Sequence, residues 1–396
     1  MTWSDCVKKT AEKNPEIQSA AATLKSSQAK AKAAYSGFLP QISGDVNYNS
    51  GNFSAGSSGS YTTNTYSASV SASQNVFAGF HDKALVDQTA ANAQASGSNL
   101  ENTKVKVSYD LKSAFAELLY AQNNSRLQED IIKRRKENAG MVGLRFEAGM
   151  ENKGNSLLSD ALLGQARYDK RQADRSIEVA RQQLAKVIGT EESGAIKIAG
   201  EIPTAEPAKL TTVLDIVFEN PQYRSAVAQE KAAKAGVTLA KSSFSPTLDF
   251  SATAAKQGNS WSMANNNTTY GFNFGIPIFN GANNYFTLKS SQQDLLKAKT
   301  SRENIENDLV AKLKLYHADF VDAFEKLKVD RIFLEAATLR ANIARNKYQN
   351  GLLSFDNWDI IENDLISKQQ AVIRSERALY MAEAAWMQAQ GKGVFK

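Results

Sequence analysis

Along most of this chain apolar side chains recur every three or four positions, the spacing of a helical stripe. In four short stretches they instead alternate with small or polar residues. The clearest is residues 268–279, where Tyr270, Phe272, Phe274, Ile276 and Ile278 alternate with Gly271, Asn273, Gly275 and Pro277. Successive side chains on a strand point to opposite faces, so this pattern predicts a strand with one apolar face and one small or polar face. Ile42, Gly44, Val46 and Tyr48 predict a first strand. Tyr66, Ala68, Val70 and Ala72 predict a second that ends near Phe77, and Leu248, Phe250, Ala252 and Ala254 a third. Residues 51–64, rich in Gly, Ser and Asn, predict a flexible loop. A second loop, holding Trp261 as an interfacial aromatic and then Asn265, Asn266 and Asn267, is expected before the fourth strand.

The remainder reads as helix. Thr2 with Asp5 predicts a capping box, and Asn14-Pro15 an N-cap followed by proline at the first helical position of a second helix running to about Gly37. Val107, Leu111, Ala114, Leu118 and Ala121 hold the four-three spacing of a coiled-coil seam, as do Leu309, Leu313, Tyr316, Phe320, Ala323 and Leu327. Residues 147–155, with Gly149 and Gly154, predict a turn, and Gly189 ends the return helix.

The pattern then begins again. Thr212 with Asp215 repeats the opening box, Asn220-Pro221 repeats Asn14-Pro15, and Phe244-Ser245-Pro246 repeats Phe38-Leu39-Pro40. Phe279-Asn280-Gly281 matches Phe77-Ala78-Gly79, Tyr348-Gln349-Asn350-Gly351 matches Phe146-Glu147-Ala148-Gly149, and Gly391 matches Gly189. The chain therefore divides into two copies of a helix–strand–strand–long helix–turn–helix unit, residues 1–200 and 211–396, joined by a linker at 201–210 that contains Pro203 and Pro207. Each helix after a hairpin covers about 66 residues, roughly 100 Å. The helices that enter and close each repeat span about 24 and 34 residues, so the two stacked end to end nearly match one long helix.

Four strands cannot hide their own edges or bury an apolar face in one chain. Their lengths suit a tilted crossing of a bilayer, and copies of the chain would close the sheet. Two would supply eight strands, an interior that side chains fill, and three, the number expected, twelve strands around a wet interior. This predicts a mixed architecture, a transmembrane β-barrel continued by an all-α coiled-coil tunnel. Residues 40–78 and 246–280 would form the membrane hairpins, and 81–189 and 282–391 the helical tunnel. The alternative is a soluble coiled-coil structural or interaction protein whose strands make a small β cap. The strength of alternation in residues 270–278, with no segment to cover the apolar face, argues against it.

Composition agrees with long helices carrying narrow stripes: 396 residues include 7 prolines and 9% aromatics. A net charge of +6, with Lys and Arg spread along the chain, gives no support for a nucleic-acid partner. Cys6 is the only cysteine and reads as a buried, inert thiol. No apolar run reaches the ~18 residues of a membrane-spanning helix, and no basic–apolar–small leader stands ahead of Thr2. His81 and His317 lie far apart without metal-ligand spacing to other His or Cys residues. No catalytic constellation, cofactor loop or metal site is expected, so the protein is read as a non-enzyme.

Asn14-Pro15-Glu16, Phe38-Leu39-Pro40-Gln41, Gln74-Asn75-Val76-Phe77 and Arg145-Phe146-Glu147-Ala148-Gly149, with their second copies, resemble the TolC family of outer-membrane efflux proteins over essentially the whole chain. The resemblance implies a homotrimer in the outer membrane of a Gram-negative cell, with a twelve-stranded barrel in lipid and a tunnel extending across the periplasm. It implies a passive, gated exit duct of a tripartite efflux or type I secretion system, of the kind that serves multidrug resistance. The partners implied are a periplasmic adaptor (membrane fusion) protein and an inner-membrane pump or ABC transporter.

Within that family an acidic pair just beyond the second turn lines the closed periplasmic aperture. Asp359 and Glu362, three apart on one helix face, fit that pattern, and Asp356 with Asp359 is a competing assignment. Three-fold symmetry would make each a ring of carboxylates. Asp160 falls at the matching place in the first repeat, and Glu151 lies in the first turn. Gly149-Met150 and Gly351-Leu352 resemble the tips through which these tubes meet their adaptors. The first turn, residues 150–155, departs from the family's short apolar form. The basic run Lys133-Arg134-Arg135-Lys136 reads as a solvated helix face, with ion pairing to an acidic gate on a neighbouring helix as the alternative.

Overall fold

In the computed structural model the alternating stretches form strands β1 (Gln41–Ser54), β2 (Ser60–Phe77), β3 (Thr247–Gly258) and β4 (Asn265–Gly275), paired antiparallel in the order β1-β2-β3-β4. The structure describes residues 1–54, 60–191, 194, 196–200, 202–209 and 212–395. The sheet belongs to one of two units, made of Ala21–Asn99 and Gln222–Ile305. Its register sorts side chains by polarity. Ile42, Ala72, Ala252 and Tyr270 stand abreast on one face, one residue away from Ser43, Ser71, Thr253 and Thr269 on the other. Polar side chains on the second face bind one another, Ser71 to Thr253 at 3.1 Å and Asn75 to Asp249 at 2.9 Å. The apolar face is bare in the chain, Tyr270 being 80% exposed. β1 and β4 each have a strand partner on one side only.

Strand boundaries differ from the sequence expectation in three places. Residues 51–54 and 60–64 continue the first hairpin instead of looping; residues 55–59 of the expected loop lie outside the described residues. The cause is cross-strand pairing, which polar composition concealed: Tyr48 packs on Tyr66 at 4.8 Å, its hydroxyl donates to Asn64 at 3.2 Å, and Phe53 stacks on Tyr61 at 5.7 Å. Asn265, Asn266 and Asn267 likewise begin β4. At its other end β4 stops at Gly275, short of Ile276 and Ile278, because Pro277 has no N–H for a ladder. Trp261 sits in the connection as expected, edge-on to Tyr66 at 5.9 Å.

Both hairpins hand over to helix through the same turn. Gly79 and Phe80, and again Gly281 and Ala282, take consecutive left-handed conformations with φ between 58° and 67°. Long helices α3 (His81–Glu147) and α7 (Asn283–Gln349) follow, each unbroken for 67 residues.

The other unit, Met1–Ala20, Leu100–Pro221 and Glu306–Lys396, is helical. Its elements include α1 (Trp3–Lys13), the start of α2 (Pro15–Ala33), α4 (Lys153–Ile188), α5 (Val213–Glu219) and α8 (Phe355–Ala389); α6 (Pro221–Ser242) leaves it toward β3. The predicted seams are largely buried, with Val107, Leu111, Leu118, Leu309, Leu313, Phe320 and Leu327 in the core and Tyr316 and Ala323 half-buried. The capping box forms at Thr2 and Asp5, whereas Thr212 makes no side-chain cap. The expected second box is therefore absent: Thr212 adopts φ −54° and ψ 99°, outside the extended geometry that Thr2 uses.

End-to-end stacking of short helices is realised at one joint per repeat. Asn14 accepts from Ile17 N–H at 3.0 Å, capping α2, and donates to Val187 O at 2.7 Å, so one side chain joins the start of α2 to the end of α4. Asn220 makes the equivalent 3.1 Å bond to Ala389 O at the end of α8. Gly189 and Gly391 close these helices in the left-handed region, each pressed against the neighbouring Asn-Pro corner. Ile196 and Ile198 at the end of the first repeat, with Ile202 of the linker, pack with Cys6, Leu111, Phe115, Leu118 and Leu184. Ala205 N–H donates to Glu383, which also pairs with buried Lys112 at 2.8 Å.

Candidate functional site

The seam of α8 passes through Phe355, Trp358, Glu362 and Leu365, so an acid occupies a position that the heptad reserves for an apolar side chain. On α3 the buried positions at the facing level include Arg135, Asn138 and Val142. Two seams thus turn polar together, and the polar groups meet. Arg135, 7% exposed, donates through Nη1 to Asp359 Oδ1 at 2.8 Å and through Nη2 to Asn363, which in turn donates to Asp359 Oδ2 at 2.8 Å. Arg134 donates to Gln369 at 2.7 Å and lies 4.0 Å from Glu362. The basic run is therefore divided: Lys133 and Lys136 are solvated, but Arg134 and Arg135 face the acids. The solvated-face reading of that run is corrected at those two residues.

Glu362 is 5% exposed, and burial pushes its carboxyl above the ordinary range against the pull of Arg134, Arg135 and Arg345. Asp356 is exposed in the first turn of α8, and Asp160 is exposed on α4. Of the four acids singled out by sequence, the structure gathers Asp359 and Glu362 around the arginines and leaves Asp356 and Asp160 in solvent.

Both tips close on the same hydrogen-bonded motif. Met150 N–H reaches Arg145 O and Leu352 N–H reaches Lys347 O, each at 2.8 Å, with Gly149 and Gly351 both at φ 71°. A left-handed residue at that position is the reason for glycine there. Met150 and Leu352 project into solvent, 68% and 74% exposed.

The two hairpins are also tied together near the tips. Tyr348 stacks on Trp358 at 4.3 Å between centroids, and its hydroxyl donates to Glu151 at 3.0 Å. Arg145 lies 4.9 Å over the Tyr348 ring and donates to Tyr348 O, while Arg345 pairs with Glu137 at 2.7 Å. Burial raises the Tyr348 phenol, and the Glu151 contact adds to it. Burial would raise Glu151 too, but hydrogen bonds from Asn155, Asn152 and Tyr348 outweigh it and hold the carboxyl low. Sequence reasoning placed Glu151 in the turn but missed Arg145 and Tyr348 as its neighbours, and it offered the pairing of the basic run with the acids only as an alternative. A readable signal existed: continuing the α3 seam from Ile131 in steps of four and three lands on Arg135 and Asn138.

The histidines have structural partners: His81 contacts Asp82 at 3.2 Å, and His317 meets Ala208 O at 2.8 Å beside the Trp386 ring. No described helix is long and apolar enough to cross a membrane.

A family profile described as outer membrane efflux protein matches residues 6–190 and 216–392, one segment in each repeat. The chain belongs to the outer membrane efflux protein family. It is an outer-membrane protein of the efflux-channel type, and the resemblance to the TolC family is borne out. Solved structures share the fold throughout. The chain superposes on the outer membrane protein VceC of Vibrio cholerae with a TM-score of 0.89 at 16% identity, covering 99% of this chain and 96% of that one. Against the CmeC outer membrane channel of Campylobacter jejuni the TM-score is 0.90 at 13% identity, over 98% and 85% of the two chains. Against the MtrE outer membrane channel of Neisseria gonorrhoeae, solved in its open state, it is 0.85 at 17% identity, over 99% and 89%. No curated protein matches the sequence.

Proposed function

We infer that this efflux-family protein works as a homotrimeric exit duct. Three four-stranded sheets would close a twelve-stranded barrel in the outer membrane, formed by residues 40–78 and 246–280 of each copy. Residues 81–189 and 282–391 would form the tunnel in the periplasm. The observation that carries this reading is the sheet: one face apolar and bare, the other hydrogen-bonded and polar, and both edges awaiting a strand. Lipid covers such a face, and closure removes such edges.

The duct performs no chemistry of its own. Energy comes from an inner-membrane pump or ABC transporter through a periplasmic adaptor that meets the exposed tips at Gly149-Met150 and Gly351-Leu352. Asp359 and Glu362, held against Arg135 and Arg134, form the gate, and opening parts α8 from α3 at that level. MtrE, which shares this fold, has been solved in an open state.

The reading predicts trimers that leave the membrane only with detergent. In planar bilayers, replacing Asp359 and Glu362 together by Ala should raise single-channel conductance severalfold while trimers persist. Normal trimers with unchanged conductance would sink the gate assignment.

A further inference from the structure

The strands carry three charged side chains among the described residues, Asp45, Asp249 and Lys256. The register puts both aspartates on the polar face and Lys256 alone on the apolar face, abreast of Val46, Ala68 and Asn266. Thr268 stands one row below Asn266 on the same face, opposite Ala254. Lys256, Asn266 and Thr268 are all exposed, and together they cut a polar notch in a mainly apolar surface. The other polar side chain of that surface below the aromatic row, Gln74, lies at the opposite end and bonds backbone carbonyls.

The notch has a defined depth. From Leu248, in the row nearest the helices, to Lys256 is about 27 Å of strand at ~3.4 Å per residue, or about 21 Å of height at a ~40° tilt. That is close to the top of a lipid-facing band of ~25 Å. The next row up holds Tyr48 and Tyr66, with Trp261 edge-on to Tyr66, the amphipathic aromatics that settle at headgroup level. Beyond that row the polarity of the hairpin inverts. Ser50, Asn52, Thr62 and Asn64 now continue the formerly apolar face, and Phe53 and Tyr61 the formerly polar one. The lipid boundary therefore falls at Tyr48 and Tyr66, and the Lys256 stem reaches it from one row beneath.

We propose that Lys256, with Asn266 and Thr268, seats the phosphate-bearing headgroup of an outer-leaflet lipid on the outside of the barrel. The cation supplies the charge, the amide and hydroxyl supply donors, and the neighbouring aromatic row fixes the depth at which a phosphate meets them. The inference rests on the barrel reading above, with the apolar face in lipid.

Native mass spectrometry of the detergent-solubilised full-length protein, titrated with diphosphorylated lipid A, tests it. Lys256→Gln should lower lipid A retention about five-fold per site, the effect of one cation beside an anionic lipid, and Lys256→Arg should restore it. Inorganic phosphate should leave the lipid in place. Equal retention by wild type and Lys256→Gln, or displacement of the lipid by inorganic phosphate alone, would overturn the lipid seat. The same preparations are inserted into planar bilayers. Channels with Lys256-independent retention defeat this proposal and leave the barrel reading standing. A chain that stays soluble without detergent and forms no channel defeats both.

Discussion

Glu362 is costly where it stands: a carboxyl buried in a coiled-coil seam, its nearest cation at 4.0 Å. Its raised pKa has a definite sign. On the proposed gate reading, between its unfolded value and the raised value a closed tip would hold a proton that an opened, solvated tip would release. Closure is therefore favoured as pH falls through that window and disfavoured as pH rises through it. Glu151 works the other way. Its bond with Tyr348 is fully present above its ordinary value of 4.5 and is lost as pH falls through its lowered pKa. Acidifying from neutrality toward 4.5 should thus reduce open probability in planar bilayers, and Glu362→Gln should flatten that response. An unaltered pH profile in Glu362→Gln would remove Glu362 from the gate. The acids were legible from their three-residue spacing. Their arginines were legible only as the alternative reading of the basic run, because four consecutive bases look alike until the phase of the α3 seam is followed to show which ones face inward.

At the scale of elements, the repeats share joints more faithfully than caps. Asn14 serves two helices at once, so Asn14→Ala loses an N-cap and a cross-helix bond, a cost of about 2 kcal/mol. Thr2→Ala should cost about 1 kcal/mol, and Thr212→Ala less than about 0.5 kcal/mol, since only Thr2 has a cap to lose. Thermal denaturation of the three variants in detergent orders them; a Thr212 effect as large as that of Thr2 would contradict the missing cap. Helix starts and stops were readable here because Asn-Pro and Gly act through local geometry. The tops of the strands were not, because Ser, Thr and Asn pairing across a ladder leaves no apolar alternation to read. Pro277 was the converse: alternation ran on through Ile278, but a residue without an N–H ended the strand.

For the whole molecule, gate and tip make separable predictions. Met150→Glu with Leu352→Glu changes two exposed side chains that pack on no core. The double variant should keep trimers and conductance at wild-type levels but lose co-purification with its adaptor. Retained adaptor binding would move the docking surface away from the tips. Architecture at this scale came largely from the doubled sequence pattern, since repetition turns weak local signals into one consistent reading. What faces what across α3 and α8 needed the coordinates, because a stripe shows that a face is buried without showing its partner.

The order β1-β2-β3-β4 has one more consequence. The two free edges differ, so copies that keep their helices at one end and their apolar face outward, as the proposed barrel requires, join head to tail, β4 of one to β1 of the next. Such a chain of copies has no half-finished resting state: one copy and two copies both end in bare strands, and only the third ends the series. Assembly should therefore be steeply concentration-dependent and slow in dilute solution. A copy lacking only β4 should act as a poison, adding at one edge and denying closure at the other.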